Sequence, residues 1–126
     1  LPNIVHKNKP LEAIQARARK ERTSVSWLLD NFDLPTAGSL ASRQSAALVF
    51  INSDSGENLF PVDGNEGDRS VICHDFAPLI TQQICRKNLT AWHGGDDLVL
   101  AVAAQNNNTI VIVHSVGPLI LEPWIV

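Results

Sequence analysis

The chain has no methionine, only two cysteines, no surplus of positive charge and no apolar run long enough to cross a bilayer. Each shortage excludes something. Ten Lys and Arg against 13 Asp and Glu give a formal net charge of −3, whereas a nucleic-acid binder would normally carry a basic surplus. Two cysteines, Cys73 and Cys85, are too few for a small domain built on a disulfide framework. Residues 98–121 lack Asp, Glu, Lys and Arg, but Gln105, Asn106, Asn107, Asn108 and Thr109 divide that stretch. Neither half reaches the roughly 20 apolar residues of a spanning helix, so no membrane partner is expected. The start has no basic segment followed by an apolar one, so no signal peptide is read. With Leu1 first and no Met anywhere, the chain is expected to be processed or, more simply, an internal piece of a longer protein. His6, His74, His93 and His114 are scattered and form no H-E-x-x-H or H-x-x-E-H cluster. No G-x-S-x-G, Walker A or G-x-G-x-x-G motif occurs, so neither a metal nor a cofactor is expected.

What is present suffices for a packed core: 126 residues, 44% apolar and 18% charged, one domain or part of one. Residues 10–20 (PLEAIQARARK) predict a helix with Pro in the first turn, Leu11, Ile14 and Ala18 on one face, and cations at the C-terminal end. Residues 23–29 alternate, with Val25 and Trp27 on one side, and predict a strand. Residues 34–44 predict a second helix with Ala37, Leu40 and Ala41 inward. Residues 46–52 and 109–114 are continuous apolar runs, the pattern of parallel strands covered on both faces. Residues 96–105 predict a helix with two acids at its N-terminus, and 53–95 a long irregular connection. The alternation of helices and strands argues an α/β fold, a three-layer α/β sandwich with a mainly parallel sheet.

In such sheets ligands bind beyond the carboxyl ends of the strands. The first apolar strand runs into Ser53-Asp54-Ser55-Gly56-Glu57, so Asp54 and Glu57 are the carboxylates best placed for chemistry, unless the loop is merely solvated. Gly56 allows an unusual backbone angle just before Glu57. Residues 62–69 are also acidic, but their spacing misses the calcium-loop pattern. Asn88-Leu89-Thr90 and Asn107-Asn108-Thr109 are N-glycosylation sequons, with Asn88 and Asn107 as acceptors.

Ala47-Leu48-Val49-Phe50-Ile51-Asn52-Ser53-Asp54-Ser55-Gly56-Glu57 and Val62-Asp63-Gly64-Asn65-Glu66-Gly67-Asp68-Arg69 resemble fungal β-glucosidases of glycoside hydrolase family 3. So do residues 10–19, 88–95 and 108–118, leaving residues 70–86 as the main stretch outside the resemblance. The resemblance implies the C-terminal α/β sandwich domain of an enzyme whose N-terminal (β/α)8-type barrel, absent from this sequence, would be its partner. It implies retaining hydrolysis of terminal β-D-glucosyl residues from β-glucosides and cello-oligosaccharides, outside the cell, with roles in cellulose breakdown. Retaining hydrolysis needs two carboxylates, about 5–5.5 Å apart. The family's nucleophile, an Asp, belongs to the barrel. The acid/base is the Glu of the Ser-Gly-Glu loop, which falls on Glu57, and its pKa would have to be raised for it to donate a proton. The chain alone is expected to be inactive.

Two departures stand out. The family pattern after the acid/base runs Gly-Tyr-Ile-Thr; here it is Asn58-Leu59-Phe60-Pro61. Leu59 replaces an aromatic on the aglycone side, and Phe60 is the residue that could substitute in binding substrate. Residues 70–86 (SVICHDFAPLITQQICR) interrupt a pattern that resumes as Lys87-Asn88-Leu89-Thr90 once they are removed. They are read as an insertion or as an intron of 17 codons translated in frame. The rival reading is a non-catalytic α/β binding module or an inactive paralogue. A flavodoxin-like regulatory domain would need a phosphate loop or an acidic pocket at the first strand's end, and neither is visible.

Overall fold

Pro10 opens the first helix, α1 (Pro10–Lys20), where its missing N–H costs no hydrogen bond. Glu12 lies in the first turn, and Arg17, Arg19 and Lys20 in the last, each at the helix end that suits its charge. The Lys9–Glu12 and Arg17–Glu21 pairs, at 3.3 and 2.9 Å, are well exposed and contribute at most about 0.5 kcal/mol each. The computed structural model describes residues 9–54, 71–74, 84–87 and 89–125. Among these, no helix is long and apolar enough to cross a membrane.

After Arg22, which has a left-handed φ of 54°, residues 23–30 run without regular structure. The strand anticipated at 23–29 is absent. A strand needs a neighbour to accept its hydrogen bonds, and among the described residues none pairs with this segment. Without a ladder the alternation breaks. Leu28 packs against the core while Trp27 is 56% exposed.

Asp33 caps the second helix, α2 (Leu34–Ala41), its carboxylate accepting the Thr36 N–H at 3.2 Å. Ala37, Gly38 and Ala41 are buried. Their small size allows close approach to the next helix: a Cβ on Gly38 would stand 3.2 Å from Gln105 Cγ and 3.3 Å from the Ala101 carbonyl. The helix ends at Ala41, three residues before the expected limit, and the turn that follows it is fastened from outside. Asn106 Nδ2 donates to the carbonyls of both Ala41 and Gln44, each at 2.9 Å.

The sheet is formed by β1 (Ala47–Ser53) and β4 (Thr109–Ser115), parallel and in register from Ala47↔Thr109 to Ser53↔Ser115. Between them in sequence come β2 (Val71–His74), β3 (Ile84–Lys87) and the helix α3 (Gly95–Ala103). β2 and β3 pair with each other, antiparallel, in a separate two-stranded sheet. The block read as an insertion therefore carries a ladder of its own. α3 packs against α2, β1 and β4. Val49, Ile51 and Ser53 are buried, and the core gathers Ala37, Ala41, Val49, Ile51, Ala91, Val99 and Val102. Leu48 and Ile110, opposite each other in the register, are 44% and 51% exposed. Among the described residues, the face carrying Leu48 and Ile110 is less covered than the one carrying Val49 and Ile51, although α1 and residues 23–31 line a cavity with Leu48 and Phe50.

Two residues hold this arrangement at close range. Asn106 is buried. Besides its two donations to the end of α2, its Oδ1 accepts the Asn108 N–H at 2.8 Å and its carbonyl accepts the Thr109 hydroxyl at 2.6 Å. Gly95 opens α3 where a Cβ would stand 2.8 Å from Ala91 Cβ and 3.1 Å from Ile51 Cγ2. Its neighbour Gly94 adopts φ +68°, a conformation glycine reaches at little cost.

Asn106→Ala leaves the Gln44 carbonyl and the Asn108 amide without these partners, takes one of two from the Ala41 carbonyl, and is expected to lower stability by about 2 kcal/mol. Urea denaturation measures it, and a loss below about 0.5 kcal/mol would contradict the assigned bonds. Gly95→Ala forces a methyl into the contact of α3 with β1, with an expected loss of about 1–3 kcal/mol in the same assay.

Candidate functional site

The carboxyl ends of β1 and β4 lie side by side because the strands are parallel and in register. The last pairs are Asn52↔His114 and Ser53↔Ser115. Asn52, Ser53, Asp54, Val113, His114, Ser115 and Val116 line a shallow depression of about 540 Å³ there. Each rim is locally braced. Asn52 Nδ2 donates to Asp54 Oδ1 at 2.8 Å, turning the Asp54 carboxylate back toward the end of its own strand. On the other rim the Ser115 hydroxyl donates to the Gly117 carbonyl at 2.7 Å, and the Gly117 N–H donates to the Ser115 Oγ at 3.3 Å. This tightens the turn that leads away from β4.

The segment that returns from the long connection is fastened to the same edge. The Trp92 N–H donates to the Asn52 carbonyl at 2.9 Å. The Trp92 and His93 rings meet at 5.5 Å with a 59° tilt, and His93 has a left-handed φ of 53°. Asn31 Nδ2 reaches the His93 carbonyl at 3.4 Å, so the segment before α2 joins the same corner. Below it, Leu89 accepts the Ile120 N–H at 2.8 Å, and Asp96 Oδ1 accepts the Trp124 indole N–H at 2.7 Å. Among the described residues, two buried polar atoms, Ser53 Oγ and Trp92 Nε1, have no hydrogen bond, and they belong to residues at or next to the Asn52–Trp92 bond. Unsatisfied buried groups are rare in folded proteins, and here both gather at one strand end.

Of the residues singled out in the sequence, Asp54 stands at this edge. Glu57, Leu59 and Phe60 lie outside the described residues, as does Asn88. Asn107 is exposed in the turn between α3 and β4. His114 is exposed and stacks on Phe50, with centroids 6.2 Å apart and planes 14° from parallel. Among the described residues, no three His, Cys, Asp or Glu side chains converge as a metal site would require. The sequence reading missed Asn52, Trp92 and Ser115. Only the loop-end position of Asn52, one residue before Ser53-Asp54, could have drawn attention to any of them.

Several β-glucosidases are similar to this chain. Beta-glucosidase 1 of Aspergillus aculeatus is 44% identical over 115 residues, covering 91% of this chain and 11% of the relative. The beta-glucosidase of Schizophyllum commune is 44% identical over 116 residues, 92% of this chain and 52% of the relative. The chain thus spans between about a tenth and about half of the length of these relatives. In three dimensions it is similar to the Chaetomium thermophilum beta-glucosidase, with a TM-score of 0.73 at 38% identity over 93% of this chain and 12% of that one. The beta-D-glucoside glucohydrolase of Trichoderma reesei gives 0.73 at 39% identity over 92% and 14%. The family model for the glycosyl hydrolase family 3 C-terminal domain matches residues 2–126. With its helices and open parallel sheet, the chain is an α/β protein that belongs to the glycosyl hydrolase family 3 C-terminal domain family.

Proposed function

We propose that this chain is the part of a secreted β-glucosidase that supplies the proton-donating carboxyl group, Glu57. The observation that carries the reading is the exit of β1. The strand ends at Ser53 on the carboxyl edge of a parallel sheet, where ligands of such sheets bind. Glu57 follows Asp54 by three residues in the sequence, so covalent geometry alone keeps their Cα atoms within about 11 Å. The names of the relatives favour a glucoside as substrate. Glu57 would protonate the departing glycosidic oxygen and then deprotonate the incoming water, while the nucleophile comes from the barrel domain. Leu59 and Phe60 would border the aglycone, and Leu59 in place of an aromatic would weaken stacking on a sugar there. Glycans on Asn88 and Asn107 fit an extracellular enzyme, and Asn107 is exposed for one.

The test uses the longer enzyme that carries this domain. Glu57→Gln should cut hydrolysis of cello-oligosaccharides, which have poor leaving groups, by about 10²–10⁴-fold. Aryl glucosides with activated leaving groups should lose much less. Equal loss on both kinds of substrate would remove the acid role. A wild-type enzyme without activity on either would favour the rival, a non-catalytic module, which the replacement of the aromatic by Leu59 also supports.

We read residues 70–86 as an addition to the family pattern, either an insertion or a retained intron. Sequencing the mature transcript across Arg69 and Lys87 is expected to show the 17 codons removed. Their persistence would make the β2–β3 ladder a genuine part of the enzyme.

A further inference from the structure

The register of β2 and β3 sets Cys73 directly opposite Cys85, with Ile72↔Arg86 and His74↔Ile84 on either side. In an antiparallel ladder, directly opposed residues have Cα atoms about 4.5 Å apart in one kind of pair and about 5.5 Å in the other. A disulfide requires a Cα separation of roughly 4.4–6.8 Å. Either kind of pair therefore satisfies it. Opposed residues also share one face of the ribbon, and these are the chain's only two cysteines, so no third thiol competes for either.

We propose that Cys73 and Cys85 form a disulfide across the β2–β3 ladder, a redox-sensitive modification site. A lone two-stranded ribbon is marginally stable in water. β2 and β3 make such a ribbon, paired with each other and not with β1 or β4. The covalent bond removes open conformations and so favours the paired register. The reaction needs a disulfide oxidant, here glutathione disulfide. The thiolate of one cysteine attacks it and releases one glutathione as its thiol. The thiolate of the other cysteine then attacks the mixed disulfide at the protein sulfur and releases the second. The two cysteines together give up two electrons and two protons, and glutathione disulfide takes them up. The proposal concerns the chain as it stands. It applies to the product in which residues 70–86 are translated, and it does not rest on the glucosidase reading.

The chain is equilibrated with reduced and oxidised glutathione, once in native buffer and once in concentrated urea. Acid quenching, alkylation and mass spectrometry then count the protein disulfide, which lacks two hydrogens and takes up no alkyl groups. The equilibrium constant for the intramolecular bond is expected to be at least tenfold higher in native buffer than in urea. In the double variant Cys85→Ser with Arg86→Cys, which moves the second thiol out of register, the native value should fall to the urea value. Equal constants for the wild-type chain in the two media would overturn the proposal. So would an undiminished constant in the shifted variant, or a native product dominated by glutathione adducts or disulfide-linked dimers.

Discussion

Two strands that run the same way cannot be joined by a tight turn, and that constraint shapes everything around β1 and β4. The chain leaves β1 at one end of the sheet and must return to the other before β4 can start. α3 makes the return, packed on the buried face of β1. Its approach is close only because Gly95 has no side chain to collide with Ala91 and Ile51. At its far end Asn106 replaces missing backbone partners for α2 and orders the first residues of β4. A helix set against a strand at this distance needs both a gap and a clamp, and the sequence supplies one residue for each.

The same pairing builds the depression at the carboxyl edge. Parallel register brings Ser53 beside Ser115 and Asn52 beside His114, residues far apart along the chain. The bond from the Trp92 amide to the Asn52 carbonyl then draws together the two ends of the long connection between β1 and α3. Whatever the intervening residues do, they start and finish at one corner of the sheet. Two unsatisfied polar atoms sit at that corner, in keeping with the tendency of functional regions to break packing rules that hold elsewhere.

How much of this the sequence disclosed depended on the length of the pattern. β1, α3 and β4 lie within a residue or two of their expected limits, because apolar runs and acid-led helices are strong local signals. Residues 23–29 had the alternation of a strand but no neighbour, and alternation cannot report a missing neighbour. β2 and β3 were not anticipated: four residues each, in a segment without a two-residue turn signature, give periodicity nothing to act on. Asn106 was read as part of a polar break between apolar runs. Its burial arises from the carbonyls that α2 presents to it, and those exist as a group only after folding. Asp54 was legible at the strand end, whereas its bond to Asn52 and the closure by Trp92 were not.

The distance between β1 and its partner also has a consequence in time. About sixty residues separate Ala47 from Thr109, and synthesis at 5–20 residues per second takes roughly 3–12 s to cover them. Throughout that interval Leu48, Val49, Phe50 and Ile51 have left the ribosome with no strand to pair with. The nascent chain thus displays its most apolar strand before the only described edge that can receive it has been made. Until β4 follows, that stretch is open to association with any other apolar surface it meets.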